Sequence, residues 1–175
     1  MGIFLKDINL KGKTALVTGA TKGLGRGTAE AIAEAGGNII AIGRNQSELD
    51  SLRKKIKKFK VNYTSFNCDL IDYKMIKNYI SKIKKLDILV NNAGTNIPEP
   101  FLKVKKTSME LLLDINTKAA FNVAQLCANQ IIKLNKKGGS IINISSIFGI
   151  VAGQDRTVYS MTKFGLEGLT KGMAL

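Results

Sequence analysis

Histidine is absent from this chain of 175 residues. Any proton chemistry near neutral pH must therefore use another group, and metal sites built on imidazole are excluded. Cysteine is scarce: Cys68 and Cys127 are the only two, far apart and without CxxC spacing. They read as unpaired thiols of a reducing compartment and not as a staple or a zinc site. No apolar run approaches the roughly 20 residues that a membrane span needs. The N-terminal MGIFLKDINLKGK lacks the apolar block and small-residue cleavage site of a signal peptide. Its Met1-Gly2 start is followed by Lys6 where a myristoylation motif wants Ser or Thr. A soluble cytoplasmic protein is the expectation. Low-complexity tracts, internal repeats and linkers are also missing, and the prolines, Pro98 and Pro100, punctuate a single loop. The length suits one globular domain over 1–175.

Acidic residues are few, 13 against 27 Lys and Arg, for a net charge of +14. A charge of that size raises the question of nucleic acid, because clustered cations neutralise phosphates. Here the lysines are scattered along presumed helix faces (Lys54, Lys55, Lys57, Lys58, Lys82, Lys84, Lys85) without interleaved aromatics. That pattern favours a solvated, compositionally biased surface over a nucleic-acid footprint.

What the chain does contain is an alternation of short β-branched runs and longer segments of helical period. Strands are expected over 13–18, 38–43, 61–67, 86–91 and 140–145, and helices over 24–35, 46–58, 72–84 and 108–134, with a last helix opening near 157. Strand runs apolar at nearly every position imply burial on both faces, the mark of a parallel sheet between helices. The fold class is therefore α/β, a doubly wound, Rossmann-like parallel sheet. Asn45 with Glu48, and Thr107 with Glu110, have capping-box spacing.

Directly after the first strand comes TGATKGLG. A pyrophosphate needs backbone N–H groups at the positive end of a helix, approached through residues without a Cβ. Gly19, Thr21, Lys22, Gly23, Leu24 and Gly25 are the candidates, although the spacing is GxxxGxG and departs from GxGxxG. Tight packing alone is the alternative use of such glycines. At the end of the second strand, where an NAD-specific domain places an acid on the ribose, stand Gly43 and Arg44. A small residue followed by a guanidinium makes room for a 2′-phosphate and can pair with it, and Lys22 offers a second cation. NADP(H) is favoured as cofactor, with NAD(H) the alternative.

Small polar residues, Asn91, Asn92, Ala93 and Gly94, follow the fourth strand, and Ser145-Ser146 follow the fifth. Tyr159 and Lys163, four apart, share one helix face. An ammonium beside a phenol, whose reference pKa is about 10, favours the phenolate and brings the group toward working pH. In a chain without histidine, Tyr159 is the candidate proton donor.

The ordered set TGATKGLG, NNAG, Ser146 and YSMTK resembles the short-chain dehydrogenase/reductase family, from about Lys11 to Leu175. The resemblance implies that Ser146, in preference to Ser145, orients a substrate carbonyl, that Tyr159 is the general acid/base, and that Lys163 lowers its pKa and binds the nicotinamide ribose. It assigns Asn116, in LLLDINTKAAF, as the fourth catalytic residue, holding a water for a proton relay behind Lys163. Asn116 falls on a stripe of Met109, Leu112, Leu113, Ala120 and Val123, so a satisfied structural hydrogen bond is its other reading. Asp69 and Leu70, in NCDL, match the family position near the adenine, with a helix cap as the alternative for Asp69. Asn91, Ala93 and Gly94 are expected to line the cofactor and brace the sheet.

Relatives of this family continue past Leu175. The expectation is thus a chain lacking the rest of the last helix, two further strands and the segment that covers the substrate, with its fifth strand left as an unpaired apolar edge. The loop TNIPEPF and the segments GIVAGQDRTVY and EGLTKGMAL look like the group of 3-oxoacyl-(acyl-carrier-protein) reductases and sugar or polyol dehydrogenases. The partners so implied are a small carbonyl or alcohol substrate, or an acidic acyl carrier protein met by Lys133, Lys136 and Lys137. Neither nucleic acid nor membrane is expected as a partner, and full-length relatives are expected to be homo-oligomers. The reading from another class is a catalytically silent remnant that binds nucleotide or a partner subunit.

Overall fold

The computed structural model describes residues 8–135 and 138–175. Met1, Gly2, Lys6, Lys136 and Lys137 lie outside the described residues. Five parallel strands form one sheet: β1 (Thr14–Thr18), β2 (Asn38–Gly43), β3 (Tyr63–Asn67), β4 (Ile88–Asn91) and β5 (Ser140–Asn143). Their order is β3-β2-β1-β4-β5, with every pairing parallel. The helices are α1 (Gly23–Glu34), α2 (Gln46–Ile56), α3 (Tyr73–Ser81), α4 (Lys106–Leu113), α5 (Ala120–Leu134) and α6 (Thr157–Met173).

Side chains alternate across the strands, and the alternation builds two cores. Leu16, Ile40, Ile42 and Leu89 face one layer with Ile76 and Ile80 of α3 and Val123, Cys127 and Ile131 of α5. Ala15, Val17, Ile39, Ala41 and Val90 face the other, with Ala29 and Ala33 of α1 and Leu49, Leu52 and Ile56 of α2. Burial on both faces holds for the inner strands, as expected, but not for the edges. In β3, Thr64 and Asn67 are exposed, and in β5 Ser140 and Ile142 are exposed. Among the described residues β5 pairs only with β4, and Ile142 is 48% exposed. The seven lysines expected on solvated helix faces are all exposed, those on α2 opposite Leu49, Leu52 and Ile56.

Three expectations need correction. Strands begin or end one to two residues inside the expected limits at 13–18, 61–67, 86–91 and 140–145. The single helix expected over 108–134 is α4 and α5 joined by a π-helical segment, Asp114–Ala119. The segment is only six residues long, too short for its change of period to stand out in the apolar pattern. Thr107 does not cap: α4 starts at Lys106, with Lys105 at the N-cap and no side-chain cap bond. The carboxylate of Glu99 meets this helix start from outside, accepting from Lys105 N at 3.3 Å and from Ser108 Oγ at 3.2 Å. The Asn45 cap is as expected, its Oδ1 accepting from Glu48 N at 3.1 Å.

Candidate active site

The strand order reverses direction on either side of β1, so the loops after β1 and β4 diverge and leave a crevice at the carboxyl edge of the sheet. A groove of about 520 Å³ occupies it, lined by Gly19, Thr21, Lys22 and Leu24 after β1, Gly43, Arg44 and Asn45 after β2, Cys68, Asp69 and Leu70 after β3, and Asn92 to Thr95 after β4, with Ile42 and Ile115. A second depression, about 420 Å³, opens at the opposite edge beside Asn38, Asn62 and Lys82. Gly19, Thr21, Lys22 and Leu24 of the glycine turn, Arg44, and Asn92, Ala93 and Gly94 of NNAG belong to the first, whereas Gly23 is not among its lining residues.

The turn after β1 owes its shape to glycine. Gly19 has φ +63° and Gly23 φ +51°, both in the left-handed region. A Cβ on Gly23 would meet nothing within 4 Å, so the open space there is available to a ligand. Helix α1 starts behind it with Lys22 at the N-cap, no side-chain cap bond and no acid in its first turn. Among the described residues no side chain caps its first N–H groups or its positive dipole end, as an anion site requires. Gly25 is different: it is buried, does not line the groove, and a Cβ there would overlap Asn92 Nδ2 and the Gly19 carbonyl oxygen. Its smallness lets α1 pack on the turn.

The Gly43-Arg44 pair sits where the sequence puts it, with one change. The space beside Gly43 is filled by Thr21, whose Cγ2 would lie 2.5 Å from an added Cβ. Both expected phosphate cations already face acids. Arg44 NH1 is 3.7 Å from Asp69 Oδ2, and Lys22 Nζ is 3.7 Å from Glu48 Oε1. Exposed pairs of this kind are worth about 0–1 kcal/mol, so a phosphate could displace either. Asp69 is not the cap of α3: Asp72 holds that place through Met75 N at 2.9 Å, while Asp69 Oδ1 accepts from Ile71 N. Cys68 is part of the groove wall, and burial, with the nearby Asp69 and Asp72 carboxylates, pushes its thiol up to about 12.

Asn91 braces and does not line. Its Nδ2 donates to Ala120 O at 2.8 Å and to Asn143 Oδ1 at 3.1 Å, joining β4 to α5 and β5. Asn92 and Thr18 were missed as site residues. Thr18 Oγ1 accepts from Asn92 N and Ala93 N, each at 3.0 Å, and Asn92 Nδ2 donates to Thr18 O at 3.0 Å. The only available signal was that both fall inside the two motifs, since the bonds span 74 and 75 positions.

At the other end of the groove, Gly94 reaches the catalytic candidates: a Cβ on it would lie 3.1 Å from Asn116 Oδ1 and 3.7 Å from Lys163 Nζ. Lys163 is 4% exposed, and its burial lowers its pKa from the ordinary lysine value. Its Nζ donates to Ile144 O at 2.8 Å and lies 5.7 Å from the centre of the Tyr159 ring. Tyr159, half-buried, meets Phe148 edge-on at 6.2 Å. Ser146 Oγ accepts from Phe148 N at 3.2 Å, which leaves its own hydrogen free to donate. Ser145 Oγ is buried and has no hydrogen-bond partner among the described residues.

Asn116 lies in the π-helical segment, 1% exposed. Its amide clasps Thr95, accepting from the N–H at 2.8 Å and donating to the carbonyl at 2.8 Å, and donates to Thr162 Oγ1 at 3.1 Å. Both amide hydrogens are thus used on protein partners, the satisfied structural bond weighed for it above. Asn116→Ala strands the Thr95 groups and should cost about 1 to 3 kcal/mol, read as a Tm fall of roughly 2–4 °C per kcal/mol. A variant with unchanged Tm would show that the clasp does not form in solution.

By fold this is a Rossmann-like α/β protein, with Asn116 and Lys163 meeting Gly94 at one end of the groove. Comparison with known proteins agrees: the short chain dehydrogenase family model matches residues 13–175. The chain is 39% identical over 167 residues to a 3-oxoacyl-[acyl-carrier-protein] reductase of Rickettsia conorii, covering 95% of this chain and 67% of that one. It is 37% identical over 169 residues to an L-xylulose reductase of Mesocricetus auratus, with coverage of 97% and 67%. A short-chain type dehydrogenase/reductase from Mycobacterium marinum superposes with a TM-score of 0.90 at 28% identity, over 99% of this chain and 72% of the other. The chain belongs to the short-chain dehydrogenase/reductase family. It spans about two thirds of the length of the two curated relatives.

Proposed function

We propose that this chain binds NADP(H) in the groove and carries out reversible hydride transfer with a carbonyl compound or secondary alcohol. The observation that carries the reading is the bond from Lys163 Nζ to Ile144 O, which fastens the YxxxK helix to the strand end that bears Ser146. When bound, the nicotinamide supplies or takes the hydride. Ser146 donates to the carbonyl oxygen, on which negative charge develops, and donors aimed there are the main catalytic contribution. Tyr159 gives that oxygen its proton, with the buried ammonium of Lys163 favouring the phenolate left behind. The first turn of α1 and the Gly19–Leu24 backbone would hold the pyrophosphate, Asp69 and Leu70 would face the adenine, and Arg44, now paired with Asp69, would serve a 2′-phosphate.

The substrate reading is a 3-oxoacyl-(acyl-carrier-protein) reductase-like reaction, in line with the Rickettsia relative and with exposed Lys133 on α5. The hamster relative favours a sugar or polyol as the second reading. NADPH and NADH fluorescence titrations of the purified chain test the cofactor, and turnover on an acyl thioester and a ketose panel tests the substrate. Arg44→Ala should weaken NADPH binding about tenfold, the worth of one charged hydrogen bond, and leave NADH binding unchanged. Equal losses for both would remove the 2′-phosphate from Arg44. Tight NADPH binding without turnover of any carbonyl would favour the silent nucleotide-binding reading.

A further inference from the structure

The chain spends both of its prolines on the residues flanking Glu99. Pro98 has its own φ locked, and Pro100 confines Glu99 to extended conformations, so the backbone through Glu99 is stiff. Three segments meet there. Glu99 N donates to Asp155 O at 3.1 Å. Asp155 itself has φ +56°, a left-handed conformation that Asp tolerates better than most non-glycine residues. Arg156 follows as the N-cap of α6, and Tyr159 is in the first turn of that helix. The Glu99 carboxylate meanwhile accepts from Lys105 N and Ser108 Oγ at the start of α4, a helix with no cap of its own. A carboxylate there is favoured by the helix dipole as well.

The same loop is held at its other end by Asn116, through Thr95. Loop 95–99 is therefore a strut fixed at both ends: Asn116 grips the side toward Gly94 and Lys163, and Glu99 grips the side toward Tyr159. We propose that Glu99 is a positioning residue for the reaction. Its carboxylate locks the loop onto α4, so that its N–H can hold Asp155 and the start of α6 where Tyr159 works. The inference rests on the assignment of Tyr159 as proton donor, but its structural half stands or falls separately.

Amide hydrogen exchange of the purified chain is the first test, because it needs no turnover. Glu99→Ala should raise exchange over 153–160 by about tenfold, and Glu99→Gln, whose amide oxygen can still accept from Lys105 N or Ser108 Oγ, should restore most of the protection. If Glu99→Ala does not fold, Ser108→Ala, which removes one of the two carboxylate contacts, should give a smaller rise over the same segment. Loosening confined to 105–108, with 153–160 unchanged, would show that Glu99 only caps α4 and would overturn the proposal. The second readout is kinetic: kcat should fall about 10- to 100-fold, as for a group displaced by about 1 Å, with NADPH affinity within twofold and rescue by Gln. Equal loss of NADPH affinity and kcat would overturn it too. A wild-type chain without carbonyl turnover removes the reaction reading and leaves the exchange result to decide the strut.

Discussion

Replacing Tyr159 by Phe should lower turnover by about 10²- to 10⁴-fold, the usual contribution of a general acid, while NADPH affinity stays within a few-fold. The ring is retained, and with it the edge-on contact to Phe148 and the packing beside Lys163. Only the hydroxyl goes, and no histidine exists to replace it as a proton source. Steady-state rates at saturating NADPH, together with a fluorescence titration, separate the two quantities. Near-normal turnover in the variant would take the proton-donor role away from Tyr159. A large loss of affinity with the ring intact would instead assign the hydroxyl to cofactor binding.

Gly25→Ala should abolish NADPH binding in the titration and lower stability, though Gly25 does not line the groove. The added methyl group would overlap Asn92 Nδ2 and the Gly19 carbonyl oxygen, the latter a backbone atom that cannot swing aside. Overpacking of this kind costs about 1–3 kcal/mol, occasionally more. The only relief is a shift of Gly19 and Asn92, both of which form the groove wall. Gly27→Ala is the control, two positions along the same helix with nothing within 4 Å of the new Cβ. It should be neutral or stabilise by about 0.5–1 kcal/mol, since alanine is the better helix former. Equal NADPH affinity in Gly25→Ala and the wild-type chain would mean that the turn is not the cofactor site.

Much of the fold was legible because its signals are local. Runs such as Ala15–Val17 and Ile39–Ile42 alternate between two cores, and a strand apolar at every position has to be covered on both sides. Glycines at 19 and 23 announce a turn because only residues without a Cβ adopt its φ freely. The π-helical segment stayed hidden because Asn116 continues the apolar stripe of α4 and α5, and a stripe reports the buried face without reporting turn width. The Thr107 cap failed because α4 starts at Lys106, which puts Thr107 inside the first turn and not at the N-cap.

By itself, then, the sequence determined where the candidate groups stand: glycines before a helix, Arg44 after a strand, and Tyr159 and Lys163 one helical turn apart. Each depends on spacings of a few residues, which backbone geometry converts directly into position. Only the tertiary structure decided what holds those groups. Thr18 with Asn92 is separated by 74 positions, Asn116 with Thr95 by 21 and Lys163 with Ile144 by 19. Such bonds form because folding brings buried polar groups together and each must find a partner. No local pattern in the chain states which partner that will be.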